Sequence, residues 1–293
     1  MNIGNKIKTL RLAKMLTQQE LAGDMITRNM LSRIENGFAL PSLQTLVYIS
    51  DKLCIPAGYL LAEDDEEFDY RKITGMPDIL QAFNAGDWQI CMDLCLNLGG
   101  SDDEIAYIIA LCMYNEGKEA FIAGDLRQAA LLFERTKDAC TATSYPVMNV
   151  AAECDTYLYC ISVVSPLLVS DIDVIQTPSF SCLSERFCRY FIMLRAVDEK
   201  SSSLLGLMKE LNADESDCGF MDHINARIKM KSGNHNEAYH LLKGILNSDF
   251  SIPAPMLYFI FNDLEICCRE LSDYRGAYEY SSDRTGMLEK FLG

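Results

Sequence analysis

The sequence predicts an all-α protein in two parts: a small N-terminal unit of five helices, then a longer α-solenoid of stacked helix pairs. Three observations predict it. Over the first 62 residues apolar positions recur at helical spacing between residues that cap helices. Beyond Arg71 no stretch alternates apolar and polar residues as a half-buried strand would, and turn signals separate runs of helical length. Charge also changes sign along the chain: residues 1–62 sum to +3, whereas the whole chain carries −16, so the remainder holds −19. A chain of 293 residues exceeds what one small core usually holds, and 49% apolar against 23% charged residues is globular composition rather than disorder.

The first helix is expected over Ile3 to Lys14, with Ile7, Leu10 and the Lys14 stem inward and Lys6, Lys8 and Arg11 offering charge. Thr17 can cap a short helix over Gln18 to Ala22 that turns Leu21 and Ala22 inward. Thr27 opens the next helix in the same way. There Leu31 and Ile34 fall on one face, and Arg28, Asn29, Ser32 and Arg33 on the other. Gly37 to Pro41 reads as a loop. Pro41-Ser42 then starts a helix with Leu43, Leu46, Val47, Ile49 and Leu53 as apolar positions, and Pro56 opens a fifth, ending near Leu61. The acidic run Glu63 to Glu67 marks a linker, placed over 63–75, between a domain of 1–62 and one of 76–293.

In the second part the turns recur. Gly86-Asp87-Trp88, Gly124-Asp125-Leu126, Gly233-Asn234-His235 and Ser272-Asp273-Tyr274 each stand between two helical runs, and the second run carries a small residue: Cys91, Ala129, Ala238 and Ala277. Asp87 to Asp125 is 38 residues and Asn234 to Asp273 is 39. The interval between Asp125 and Asn234 holds three more such units, with breaks near Ser165-Pro166 and Asp198-Glu199-Lys200. About six units of this length resemble degenerate tetratricopeptide repeats, in which each pair stacks on its neighbour and the first helices line a concave wall.

Between Leu16 and Gly37 the chain reads Leu-Thr-Gln-Gln-Glu-Leu-Ala and closes on Ser-Arg-Ile-Glu-Asn-Gly. This resembles the helix-turn-helix of the Cro and phage-repressor (XRE) family, and implies a lambda-repressor-like DNA-binding domain. The turn is one residue shorter than usual, with Gly23 early and Ile26 directly before Thr27. In that it is similar to the peptide-pheromone regulators of the Rgg, PlcR and PrgX kind (the RRNPP group), which carry helical repeats after the head. The resemblance implies that Arg11 pairs with Glu35. It further implies that Gln18, Asn36 and the Thr27 cap region hold phosphates, and that Arg28 and Asn29 point at base edges with Arg33 one turn on. An arginine fork meets two acceptors of guanine, and asparagine does the same for adenine; Arg33 has the alternative of packing its stem on the helix.

The same resemblance implies a short peptide ligand. Asn115, Asn149, Asn225 and Asn262 fall on first helices, three of them nine to eleven residues before the next turn. An asparagine amide donates to and accepts from an extended backbone at once, and the peptide-pheromone regulators use such residues so. The other reading is that they are exposed helix residues or bond one another. Arg186 and Arg189, beside Tyr190, suit a peptide carboxylate. The partners implied are a double-stranded DNA operator, the peptide and a second copy of the chain, because this class reads two half-sites as a homodimer.

Several function classes find no support in the sequence. The twelve cysteines lack framework spacing and read as small core residues of a reducing cytoplasm. The N-terminus is polar, and the longest apolar run, Ile105 to Tyr114, is about half of the roughly 20 residues a membrane span needs. No catalytic arrangement, metal site or cofactor motif stands out; His235 and His240 lie in and after a polar turn and read as surface residues. The expected product is a cytoplasmic transcription regulator, not an enzyme. One alternative is an interaction module that sequesters a protein through its repeats, with the head unused for DNA. Another is a repeat-type phosphorelay phosphatase, whose catalytic side chain has no counterpart here.

Overall fold

The computed structural model describes residues 3–61, 67–169, 183–199 and 218–292, and over these the regular structure is entirely helical. The chain divides into two compact units, Met1–Asp102 and Asp103–Gly293.

The first unit opens with α1 (Ile3–Ala13), α2 (Gln18–Ala22), α3 (Arg28–Glu35), α4 (Leu43–Leu53) and α5 (Ala57–Leu61). Ile7, Leu21, Ala22, Leu31, Ile34, Leu46, Ile49, Leu53 and Leu60 form one core. Thr17, Thr27 and Ser42 each accept a backbone N–H from the first turn of the helix they open, and Thr17 with Glu20 completes a capping box. Gly23 turns the chain between α2 and α3 at φ +51°, where a Cβ would fall 2.2 Å from the Tyr48 hydroxyl. Gly4 lets α1 approach α3 so closely that a Cβ would lie 2.0 Å from the Ile34 carbonyl oxygen.

Three expectations for this unit need correction. Lys6 is buried, because α1 packs on α5 and the Lys6 ammonium lies 5.3 Å over the Tyr59 ring and 3.4 Å from the Tyr59 carbonyl. Lys14 is exposed, since α1 ends at Ala13 and Met15 turns the chain at φ 54°. Leu43 and Val47 face outward on α4. From Glu67 the chain runs on as α6 (Glu67–Ala85), held to the turn after α7 (Trp88–Leu96), with Phe68 against Gly100, Arg71 against Gly99 and Lys72 bonded to Asp102. Residues 62–66 lie outside the described residues.

The second unit holds α8 (Asp103–Ala123), α9 (Leu126–Cys140), α10 (Met148–Val164), α11 (Arg186–Asp198), α12 (Cys218–Lys231), α13 (His235–Leu246), α14 (Ala254–Glu270) and α15 (Tyr274–Leu292). All four expected turns fall between helices, and the breaks after Val164 and Asp198 are also where the sequence puts them. At three turns the acidic or amide residue caps the next helix: Asp125 accepts from Gln128 N at 3.0 Å, Asn234 from Glu237 N at 3.3 Å and Asp273 from Gly276 N at 3.0 Å.

The stacking is not confined to neighbours. α14 touches α8 and α10, α15 touches α9, and Arg127 Nη2 donates to the Leu292 carbonyl at 2.6 Å. Aromatic residues on the first helices also meet across the stack. Tyr157, Phe187, Phe191 and Phe259 meet in one cluster, with Phe187 and Phe191 centroids 6.5 Å apart and Phe191 and Phe259 6.1 Å apart. These side chains are part of the buried core of the unit.

Candidate functional site

On α3 the inward residues Leu31 and Ile34 are buried, while the side chains of Arg28, Asn29 and Arg33 are exposed and make no hydrogen bond or ion pair with another described residue. The opposite faces follow from helical spacing, and the core of α1, α2 and α4 decides which is outside. Thr27 Oγ1 accepts from Met30 N at 3.1 Å, so its hydroxyl is occupied as the cap. Exposed Asn36 donates its amide to the Ser32 carbonyl at 2.8 Å.

Beneath this face lies a buried ion pair. Arg11 Nε meets Glu35 Oε1 at 2.6 Å and Arg11 Nη2 meets Oε2 at 3.0 Å, the expected partnership. Arg11 Nη1 also donates to the Leu16 carbonyl at 2.8 Å. Gln18 Nε2 donates to Glu35 Oε2 at 2.8 Å, so its amide supports the pair from below α3. Burial pushes the Glu35 carboxyl up, but the bonds from Arg11 and Gln18 outweigh that, and its pKa ends below the usual carboxylate value. The pair thus ties α1 and α2 to the C-terminal end of the recognition-type helix.

In the second unit a cavity of about 310 Å³ is lined by Asp198, Arg227, Met230, Lys231, His235, Asn262, Asp263 and Ile266. One wall is a buried polar chain. Arg227 Nε and Nη2 fork onto Asp263 at 2.6 and 3.2 Å, and its Nη1 reaches Asp198 at 2.8 Å. Asp263 also accepts from Asn262 Nδ2 at 3.2 Å, and His223 Nε2 lies 3.0 Å from it. His223 Nδ1 sits 2.7 Å from the Tyr190 hydroxyl. Burial outweighs the Asp263 carboxylate in its effect on His223 and lowers the imidazole pKa, which leaves the ring neutral. Facing a carboxylate and a phenol, the neutral ring then carries its proton on Nε2 and accepts from Tyr190 at Nδ1. Burial likewise raises Asp263, yet Arg227 and His223 outweigh it and hold that carboxyl down at about 2.

A second buried carboxylate positions α11. Glu153 on α10 accepts from Ser184 N at 2.8 Å, Ser184 Oγ at 2.7 Å and Glu185 N at 2.9 Å, all on Oε1, and from the Tyr114 hydroxyl on Oε2. A charge at the start of a helix meets its free N–H groups and its dipole.

Of the residues expected to hold a peptide, only Asn262 lines the cavity. Asn115 donates to the Leu111 carbonyl of its own helix at 2.9 Å, Asn149 is exposed near the start of α10 and Asn225 is half-buried on α12. Arg186 is exposed, and Arg189 is half-buried with Nε on the Leu183 carbonyl at 2.7 Å. His235, read from sequence as a surface residue, stands in the cavity wall; His240 is exposed. Sequence reasoning singled out neither Arg227 nor Asp263. Their signal, an arginine and an aspartate on first helices, is too common to isolate them.

Ten of the cysteines whose side chains are described are free thiols; nine are buried and Cys54 is exposed. Burial pushes the Cys95 thiol up to about 12, which makes it inert as a nucleophile. Among the described residues no group of three or more His, Cys, Asp or Glu is placed to hold a metal ion, and no helix is long and apolar enough to cross a membrane.

The geometry of α2 and α3 is that of a helix-turn-helix, and the helix-turn-helix family model matches residues 7–60. Among curated proteins none matches the chain. Three solved structures are similar to it over nearly all of its length. Bacillus thuringiensis PlcR in complex with the peptide PapR7 and DNA is 16% identical, over 98% of this chain and 95% of that one, with a TM-score of 0.25. The Streptococcus dysgalactiae SHP pheromone receptor Rgg2 is 13% identical, over 97% and 99%, with a TM-score of 0.24. ComR from S. thermophilus, in complex with DNA and its signalling peptide ComS, is 16% identical, over 98% and 99%, with a TM-score of 0.22.

Proposed function

We propose that this chain is a cytoplasmic, sequence-specific DNA-binding transcription regulator that binds duplex DNA as a homodimer and senses a short peptide through its C-terminal helices. The observation that carries the reading is the outward face of α3, where Arg28, Asn29 and Arg33 stand exposed with their donors unspent. Arg28 and Asn29 occupy the first turn of the helix, the end that meets base edges in helix-turn-helix proteins. Thr27, Gln18 and Asn36 flank it as phosphate-side positions. Gln18 and Asn36 already donate to the protein, so their part is to fix the register of α3 as well as to meet the backbone.

The peptide half of the proposal rests on the resemblance in the head to the peptide-pheromone regulators and on the helical pairs beyond it. Asn115, Asn149, Asn225, Asn262, Arg186 and Arg189 remain its proposed contacts. The same reading divides the chain into a head of 1–62, a connector over 63–75 and a sensing part of 76–293. A peptide changes the activity of the head only by binding two arrangements of the dimer with different affinity.

Fluorescence anisotropy with the DNA upstream of the chain's own coding sequence tests the DNA half. Specific binding that weakens steeply with salt, and falls on changing Arg28 and Asn29 together to alanine, is expected. Binding indifferent to salt and to that double change would sink the proposal. It would favour the sequestration alternative, in which the repeats capture a protein and the head is idle.

A further inference from the structure

The cavity between α11, α12, α13 and α14 has carboxylates that already face protein cations, and donors that are not spent. Asp263 accepts three protein groups on its two oxygens, and Asp198 is hemmed by Arg227 at 2.8 Å, Lys231 at 3.7 Å and Arg195 at 3.8 Å. An added cation would meet those three positive groups first. The donors differ. Lys231 Nζ lies beyond hydrogen-bond distance of Asp198 and is half-exposed, so its three N–H groups are not spent there. His235 Nδ1 is buried without a hydrogen-bond partner. His235 is also the first residue of α13, a helix end that favours negative charge. Met230 and Ile266 complete the lining with apolar surface.

We infer that this cavity binds a carboxylate, with the Lys231 ammonium and the His235 ring N–H as its ligands and Met230 and Ile266 against the carbon skeleton. Its volume lies at the lower end for small-molecule sites, so it takes one terminal residue of a peptide and not an extended chain. The inference rests on the peptide-sensing reading above, to which it adds the anchoring end: the free C-terminal carboxylate enters here, next to Asn262.

The chain has three histidines, so their ring signals in NMR are few enough to follow individually. The probes are N-acetylalanine and its amide, titrated into the full-length protein at constant ionic strength. Expected is a saturable shift of the His235 signal with the acid and not with the amide, while exposed His240 stays fixed. Lys231→Gln weakens the response at least tenfold, and an unchanged buried His223 signal reports that the variant is folded. Equal responses to acid and amide, or a His235 signal that moves no more than His240, overturn the inference. Failure of the peptide reading shows separately. A pool of free-acid heptapeptides that leaves the protein untouched while N-acetylalanine still moves His235 removes the peptide and leaves the carboxylate site; binding of the pool with His235 unmoved removes only the site.

Discussion

In residues 3–61 the cations Lys8, Arg28 and Arg33 stand exposed, whereas in residues 103–292 Arg227, His223, Asp263 and Glu153 are taken up by one another and by backbone groups in the interior. The contrast separates two uses of polar side chains. An exposed arginine keeps its water until a phosphate or base replaces it, so it is available for binding and adds little to folding. A buried carboxylate has already lost its water, and only partners in fixed places make that tolerable. Changes in the first region should therefore read out in DNA affinity, and changes in the second in stability.

Removing Asp263 is the severest test of this division. Asp263→Ala strands Arg227 and His223 without their partner, and should lower unfolding free energy by about 3–5 kcal/mol in urea denaturation. A loss below about 1 kcal/mol would mean that the buried chain is not holding α12 to α14. In the first unit Glu35→Ala should cost somewhat less, about 2–3 kcal/mol, because Arg11 keeps the Leu16 carbonyl. Glu35 is thus the head residue whose loss shows as melting, which an exposed cation's would not.

The converse comes from Arg28→Ala with Asn29→Ala. That protein should bind its operator at least tenfold more weakly while its urea midpoint stays within about 0.5 kcal/mol of the parent. A large stability loss would erase the distinction drawn between the two regions. Thr27→Ala, which removes only a cap, should cost about 1 kcal/mol of stability.

Acidity sharpens the comparison further. The folded pKa of His223 lies below 6.5, so its contribution is complete above that pH and is lost as pH falls below it. That of Asp263, held at about 2 against an ordinary 3.8, disappears as pH falls through this lower window. Both act in the same direction. Denaturation midpoints at about pH 7 and about pH 5 should drop for the parent and drop less for His223→Gln; equal drops would take His223 out of the account.

Much of the helical order was legible because it is local. A glycine or serine followed by Asp or Asn ends one helix and caps the next, and at Gly124-Asp125, Gly233-Asn234 and Ser272-Asp273 the code is read within four residues. The faces of α3 were legible for the same reason, as was the Arg11 and Glu35 pair once the motif had been matched. The asparagines illustrate the limit: their spacing is regular, yet Asn115 turns to its own backbone while Asn262 joins the cavity wall. Spacing along a helix does not say which neighbour its side chain will find.

Residue order alone therefore settled where several turns between helices fall, that the head carries a helix-turn-helix, and which side of α3 is left to solvent, since caps and helical periodicity act over one or two turns. The folded chain settled what lies between helices far apart in sequence. Tyr190, His223 and Asp263 are separated by 33 and 40 residues, and the last helix pair packs back on α8 and α9. Such contacts depend on how whole helices pack, and a buried carboxylate finds its arginine only after the apolar faces around it have closed.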